Sequence, residues 1–172
     1  MSARNALKIA AIVQDAGGKV VGRTRLQKLA YLLLVTGCET DLEFKYKHYG
    51  PFSEDVAVAA REGNLLGLMH EEEKPASWGG TYSTYTVSHA ARAQPSNNTA
   101  RVELATLAAS ADAVELELAA TAIFLAQQGY QDAWGETARR KPEKAEAGRI
   151  DRAKGLLHQM SAISFPVPLP AI

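Results

Sequence analysis

The side chains best suited to catalysis or metal binding are few and widely separated. The four histidines are His48, His70, His89 and His158. No two of them form the pair at i and i+4 with a glutamate that is typical of a zinc-binding helix. Cys38 is the one cysteine, which excludes an intramolecular disulfide and a cysteine-rich metal site. Gly17-Gly18-Lys19 also lacks the glycine spacing of a phosphate loop. We therefore expect a protein that is not an enzyme, with no catalytic residue, no metal and no cofactor.

Contact with phosphate groups is a second kind of chemistry that the sequence offers. Five cations fall close together in the chain, at Arg23, Arg25, Lys28, Lys45 and Lys47. Such a cluster is a candidate nucleic-acid contact, and the alternative is a solvated face, because Glu39, Asp41 and Glu43 share the stretch. The 19 basic and 19 acidic residues give a formal net charge of zero, so no overall field attracts a polyanion.

Ring side chains around a Gly-Pro turn suggest a protein-binding surface. The candidate partner-binding residues are His48, Tyr49, Gly50, Pro51 and Phe52. Tyrosine contributes a large contact area at a low cost in conformational entropy, as binding hot spots require. The alternative is that Phe44, Tyr46 and Phe52 fill a gap in the core. Both interpretations hold if His48 and Tyr49 stay exposed.

The elements that position these residues follow from hydrophobic periodicity. Helical spacing of apolar residues predicts three helices, over 4–16, 25–36 and 53–63. The second is apolar on nearly every side, so we expect it to run through the core. Thr24 with Gln27 has the form of a capping box, and Ser53 can cap the third helix. Alternation predicts extended segments over 42–48, 65–72 and 81–88, the last two forming a hairpin or wing.

Three helices followed by a two-stranded wing is the order of a winged helix. The third helix, which would enter the DNA groove, carries Glu54, Asp55 and Glu62 against Arg61. The wing is also acidic, with Glu71-Glu72-Glu73 beside Lys74. Because these acids repel phosphates, sequence-specific DNA binding ranks below protein binding.

The second half is predicted to be helical. A surface connection at 90–99 leads to helices over 100–109, 112–127, 131–139 and 144–160, with Thr99 and Ser110 as caps for the first two. Residues 161–172 contain three alternating prolines and are predicted to be an extended tail that docks in a groove, on its own domain or on a partner. The expected organisation is a winged-helix-like module at 1–90, a helical extension at 91–160 packed on it, and the tail.

Two charged features of the second half have structural interpretations. Glu117 lies in a Leu-Glu-Leu string near the expected core boundary, and we predict that it pairs with a base such as Arg23 or Lys28. Arg139-Arg140-Lys141 stands at a predicted helix end, where cations complement the dipole. A phosphate contact is the alternative for that cluster.

Several short motifs, taken in order, resemble a known group of proteins. They are Gly22 to Leu32, Tyr46 to Ser53, Gly67-Leu68-Met69, Leu116 to Leu125 and Lys141-Pro142. Their order is similar to the uncharacterised YwgA-type proteins of bacteria and archaea, and more distantly to the Panacea domain of SocA-type antitoxins. The resemblance implies no catalytic residue. It implies an interaction domain that neutralises a partner.

The sequence thus predicts a mainly α (α+β) protein of prokaryotic type, with a winged-helix-like N-terminal module, a β-hairpin wing and a helical C-terminal extension. We expect a non-enzymatic interaction or regulatory protein, antitoxin-like, whose partner is a protein such as a toxin or a second copy of the chain. The alternative is a nucleic-acid-binding transcriptional regulator. The apolar stretch Leu29 to Thr36 is shorter than the roughly 20 residues of a membrane span, and no signal pattern opens the chain. We therefore expect a cytoplasmic protein without membrane contact.

Overall fold

The computed structural model describes residues 2–88 and 96–172, and these residues contain seven helices and five short strands. The predicted mainly helical α+β class is confirmed. His89 and most of the predicted connection at 90–99 lie outside the described residues.

The first half combines three helices with a three-stranded sheet and a small separate hairpin. Its elements are α1 (Ser2–Asp15), β1 (Lys19–Val21), α2 (Arg23–Val35), β2 (Lys45–Lys47), β3 (Gly50–Phe52), α3 (Glu54–Leu65), β4 (Met69–Pro75) and β5 (Thr81–Val87). The sheet is antiparallel with strand order β1-β5-β4, and Val20 pairs with Tyr85. Strands β2 and β3 form their own antiparallel pair, with Tyr46 opposite Pro51.

Four helices make up the second half. They are α4 (Thr99–Ser110), α5 (Ala113–Gln127), α6 (Ala133–Arg140) and α7 (Arg149–Ser161). Helix α5 is buried along most of its length, from Leu116 to Ile123, and it packs against α2, β3, α6 and α7. Helix α2 is likewise buried from Leu26 to Leu33, as its apolar sequence predicted. The two helices join both halves in one continuous core.

The proline-spaced tail lies on its own chain. The backbone N–H of Val167 donates a hydrogen bond to the Thr36 carbonyl at 3.0 Å, and Phe165 and Leu169 pack against the core. Gly37 makes room for this contact, because a Cβ there would come within 3.2 Å of Pro166 and Val167. Of the two docking positions that the sequence left open, the structure shows the intramolecular one.

Several local predictions were wrong for identifiable reasons. Helix α2 starts after Gly22 with no side-chain cap, because the Gln27 side chain bonds to Ser53 instead of closing a capping box with Thr24. The caps of α4 and α5 are Asn98 and Asp112, each adjacent or close to the serine or threonine expected. Ser53 does cap α3, through the Val56 N–H.

Two strands were not predicted, and one helix is shorter than expected. Strand β1 spans three residues with a single buried side chain, Val20, which is too little for an alternation to register. Strand β3 contains the Gly50-Pro51 pair that was expected to end the extended segment; the chain reverses at His48-Tyr49 instead. Helix α7 begins at Arg149, because residues 142–148 form turns.

Candidate functional site

The β2–β3 hairpin is fixed from its inner side by three side chains. Lys28 Nζ, on α2, donates a hydrogen bond to the Pro51 carbonyl at 2.8 Å, and Lys141 Nζ, just after α6, donates one to the His48 carbonyl at 2.8 Å. Gln27 exchanges two hydrogen bonds with the backbone of Ser53, at 2.8 and 2.9 Å. The turn and both ends of β3 therefore have backbone positions set by buried groups from both halves of the chain.

Gly50 allows the hairpin to approach α5. Its φ of +87° lies in the left-handed region, which side chains other than glycine rarely adopt. A Cβ at this position would also overlap the hydroxyl oxygen of Thr121. That hydroxyl is buried and has no hydrogen-bond partner among residues 2–88 and 96–172. The close approach of backbone to helix explains a glycine here on steric grounds.

A cluster of four charged side chains lies directly beneath the hairpin. Glu117, on α5, is 3% exposed, and both of its carboxylate oxygens accept hydrogen bonds from Lys144 Nζ, at 2.7 and 2.9 Å. Lys141 Nζ lies 3.1 Å from the same carboxylate. Lys28 completes the cluster at 1% exposure. Two ammonium groups thus pair with one carboxylate and a third buried lysine lies near them, which is an unusual balance for a buried site.

Burial changes the acidity of two of these lysines. Removal from water lowers the pKa of Lys28 to about 7; the nearby Glu117 charge opposes this change, and the charges of Lys141 and Lys144 add to it. Burial also lowers the pKa of Lys141, against the attraction of Glu117. The charge of the cluster consequently changes close to neutral pH.

The outer side of the hairpin presents a ring and an ammonium group. Tyr49 is 57% exposed, and His48 beside it is also exposed. Lys144 Nζ lies 4.6 Å from the centroid of the Tyr49 ring, a cation–π distance, and its side chain is 33% exposed. Lys144 therefore links the buried carboxylate to the exposed tyrosine.

A second aromatic contact extends this surface along the hairpin. The Arg140 guanidinium lies 4.8 Å from the ring centroid of Tyr46 and 5.2 Å from that of Tyr130, and it donates a hydrogen bond to the Tyr130 hydroxyl. Glu136 accepts from Arg139 and Arg140. The arginines at the end of α6 therefore bond mainly to side chains of the same chain.

The predicted partner-binding residues lie together on this hairpin, but they divide into two groups. His48 and Tyr49 face solvent, Gly50 and Pro51 are buried, and Phe52 is half-buried with Lys47 Nζ 4.4 Å from its ring centroid. Tyr46 packs on Phe124 of α5, and Phe44 packs on Tyr31, as the core-filling interpretation predicted.

The five predicted phosphate-contacting cations do not form one exposed patch. Lys28 is buried, and Arg23 bonds to Glu71 and Glu73 of β4. Arg25 donates to the carbonyls of Val21 and Ala111. Lys45 and Lys47 lie on the hairpin, paired with Glu43 at 3.7 Å and Glu54 at 2.7 Å.

The sequence singled out Glu117 but did not identify its partners, nor the contact of Lys141 with the hairpin. Glu117 was expected to pair with Arg23 or Lys28, whereas its ion-pair partners are Lys141 and Lys144. For Lys141 the local signal was the Lys141-Pro142 break, which indicated the end of a helix and not a contact with a hairpin more than ninety residues earlier.

The described residues hold no cluster of three or more histidine, cysteine or acidic side chains that could bind a metal ion. Nor is any helix in residues 2–88 and 96–172 long and apolar enough to cross a membrane.

Comparison with known proteins gives one partial similarity. No family model matches the sequence, and no solved structure matches it. Over 64 residues the chain is 30% identical to the uncharacterised protein YwgA of Bacillus subtilis (strain 168), a stretch that covers 37% of this chain and 38% of YwgA. The aligned part is thus little more than a third of either protein, and it supports a YwgA-like relationship for that part of the chain.

Proposed function

We propose that this chain is a non-enzymatic interaction or regulatory protein of the cytoplasm, and that it contacts a protein partner through His48 and Tyr49. The observation that carries the proposal is a 57% exposed tyrosine on a hairpin whose backbone is held by buried lysines. The partner's identity is left to experiment.

The rigidity of the hairpin favours binding. Association is opposed by the entropy lost when flexible groups become ordered, so a surface that is already fixed retains more of its contact energy. Here Lys28, Lys141 and Gln27 fix the backbone on both sides of Tyr49. Tyrosine adds a large amphipathic surface with few rotatable bonds. An exposed aromatic residue on such a support has the character of an interface hot spot.

The arrangement of the first half supports a winged-helix-like module as the scaffold. The order α1-β1-α2-α3-β4-β5, with the β2–β3 hairpin inserted between α2 and α3 and with sheet order β1-β5-β4, is consistent with that fold, and β4–β5 would be its wing. The resemblance to Panacea domains suggests the most concrete form of the function, antitoxin-like neutralisation of a bound protein. Fold by itself does not determine function, so the surface of the hairpin remains the main argument.

The alternative, a nucleic-acid-binding regulator, has less support from the side chains. Helix α3 begins with the exposed acids Glu54 and Asp55, and all five predicted contact cations bond to or pair with carboxylates or carbonyls of the chain. Binding through the phosphate backbone would show affinity that falls steeply with salt.

The test is capture of partners from the native host's lysate by the tagged full-length chain, with and without nuclease. Tyr49→Ala is compared with Trp78→Ala, which removes an aromatic residue that is even more exposed, at 75%, from the wing turn. We expect a stoichiometric protein that survives nuclease, is retained by Trp78→Ala and is lost with Tyr49→Ala. Loss of all bound protein on nuclease treatment would favour the nucleic-acid alternative. Equal retention by both variants would refute the assignment to the hairpin.

A further inference from the structure

We propose that the hairpin surface recognises an acidic peptide segment, whose carboxylate binds the Lys144 ammonium beside the Tyr49 ring. This inference rests on the proposed function, because it specifies the chemistry of the partner at the same surface.

The first argument is the charge balance of the cluster. Lys141 and Lys144 both pair with the carboxylate of Glu117, and Lys28, whose pKa the Glu117 charge raises, lies close enough to add a third positive charge when it is protonated. No second carboxylate of the described residues forms an ion pair with any of the three lysines. The two lysines that pair with Glu117 therefore carry one positive charge more than that carboxylate neutralises, and Lys28 adds a second when it is protonated.

The second argument is the position of Lys144 relative to water. Glu117, Lys141 and Lys28 are nearly inaccessible, whereas one third of the Lys144 side chain is exposed. An ammonium has three N–H donors, and Lys144 directs hydrogen bonds to the two oxygens of Glu117, which leaves a donor for a further acceptor. An incoming anion would thus meet the excess charge at Lys144.

The third argument concerns the shape of the ligand. The exposed Tyr49 ring lies next to the ammonium and offers an apolar face on which the methylene groups of a glutamate or aspartate side chain can rest. A carboxylate on an extended peptide can bind the Lys144 ammonium by charge alone. Single-stranded nucleic acid would in addition require aromatic side chains on which its bases stack. Water screens the attraction to the partly exposed Lys144, and the buried Lys28 and Lys141 add to it through surroundings that are less polar than water.

The protonation of Lys28 supports the same proposal. The charged groups that face it are Glu117 from α5, and Lys141 and Lys144 from the segment after α6. A bound carboxylate adds negative charge to this environment and favours the protonated amine. Binding should therefore take up protons, and affinity should fall as pH rises through about 7 and above.

The experiment uses a capped tetraglutamate peptide as the probe and the full chain as the receptor, measured by isothermal titration calorimetry at low ionic strength. Lys144→Met is compared with Lys45→Met, which removes the same charge from an exposed position on the same hairpin. We expect Lys144→Met to weaken binding at least about fivefold, whereas Lys45→Met changes it less than about twofold. Far-ultraviolet circular dichroism verifies that both variants are folded.

The outcomes separate this inference from the proposed function. No binding of the peptide by the wild type, or equal weakening by the two variants, would overturn the inference, even if Tyr49-dependent capture of a protein partner is observed. If the peptide binds but the Tyr49→Ala variant captures the protein partner as well as the wild type does, the carboxylate site is supported and the proposed function is contradicted. A thymidine oligonucleotide of matched charge that binds more tightly than the peptide, in a Lys144-dependent way, would overturn the inference in favour of nucleic acid.

Discussion

Replacing Lys28 by methionine should change how the stability of the protein depends on pH. Lys28 is 1% exposed, and its pKa is lowered from 10.5 to about 7 in the folded state. Between these two values the unfolded chain binds a proton that the folded chain has released, so the free energy of unfolding increases with pH. The burial penalty is present in full below pH 7 and disappears as pH rises towards 10.5. Lys28→Met keeps an unbranched chain of similar length and removes the titrating group.

The magnitude follows from the interval between the two pKa values. Each pH unit corresponds to about 1.4 kcal/mol per proton, so the interval from about 7 to 10.5 corresponds to at most about 5 kcal/mol. The lost hydrogen bond to the Pro51 carbonyl costs about 1–3 kcal/mol, and any part of this cost that changes as Lys28 loses its proton is already contained in the difference between the two pKa values. The slope is therefore the informative quantity, and the absolute stability at one pH is not.

Urea unfolding at several pH values between 7 and 10 measures the slope. The difference in unfolding free energy between wild type and Lys28→Met should change by about 1 kcal/mol for each pH unit in favour of the wild type. Lys45→Met serves as the control, because its ammonium is exposed to water, and its curve should run parallel to that of the wild type. Parallel curves for Lys28→Met as well would refute the reasoning, because they would mean that Lys28 keeps its proton when it is buried.

Two further predictions concern the hairpin and the tail. Gly50→Ala should destabilise the protein by about 1–3 kcal/mol more than Gly67→Ala in urea unfolding, since both glycines have positive φ and only Gly50 faces the Thr121 hydroxyl; equal losses would contradict the close approach. Deleting Phe165–Ile172 should lower the free energy of unfolding by about 1–3 kcal/mol, because Phe165 and Leu169 pack on the core and Val167 bonds to Thr36. An unchanged midpoint in urea would show that the tail does not contribute to stability.

The helices were predictable from the sequence because their burial is periodic. In α1, Ile9, Ile12 and Val13 are fully buried at the spacing that indicated one apolar face. In α2 the continuous apolar run predicted a helix with neighbours on several sides, and α4, α5 and β3 provide them. Such patterns record local burial, which a single sequence displays directly.

The charged cluster was not predictable in the same way. Lys28 and Lys141 each resemble an ordinary solvated lysine in the sequence, and their burial depends on how two halves of the chain pack. Glu117 was suspected because it interrupts an apolar string, but its partners come from the turns after α6. Strand β1 was not predicted because three residues with one buried side chain form no recognisable alternation.

The contact between Lys141 and the His48 carbonyl has a consequence for modularity. The hairpin lies between α2 and α3, inside the first half, yet one of its anchors and the carboxylate beneath it come from beyond residue 100. A fragment that ends before α4 would display the same tyrosine without these supports. Transplanting the first half onto an unrelated protein would accordingly transfer the turn with its Lys28 and Gln27 contacts, but without the Lys141 contact that holds the His48 carbonyl. The proposed recognition surface therefore depends on residues of both halves of the chain.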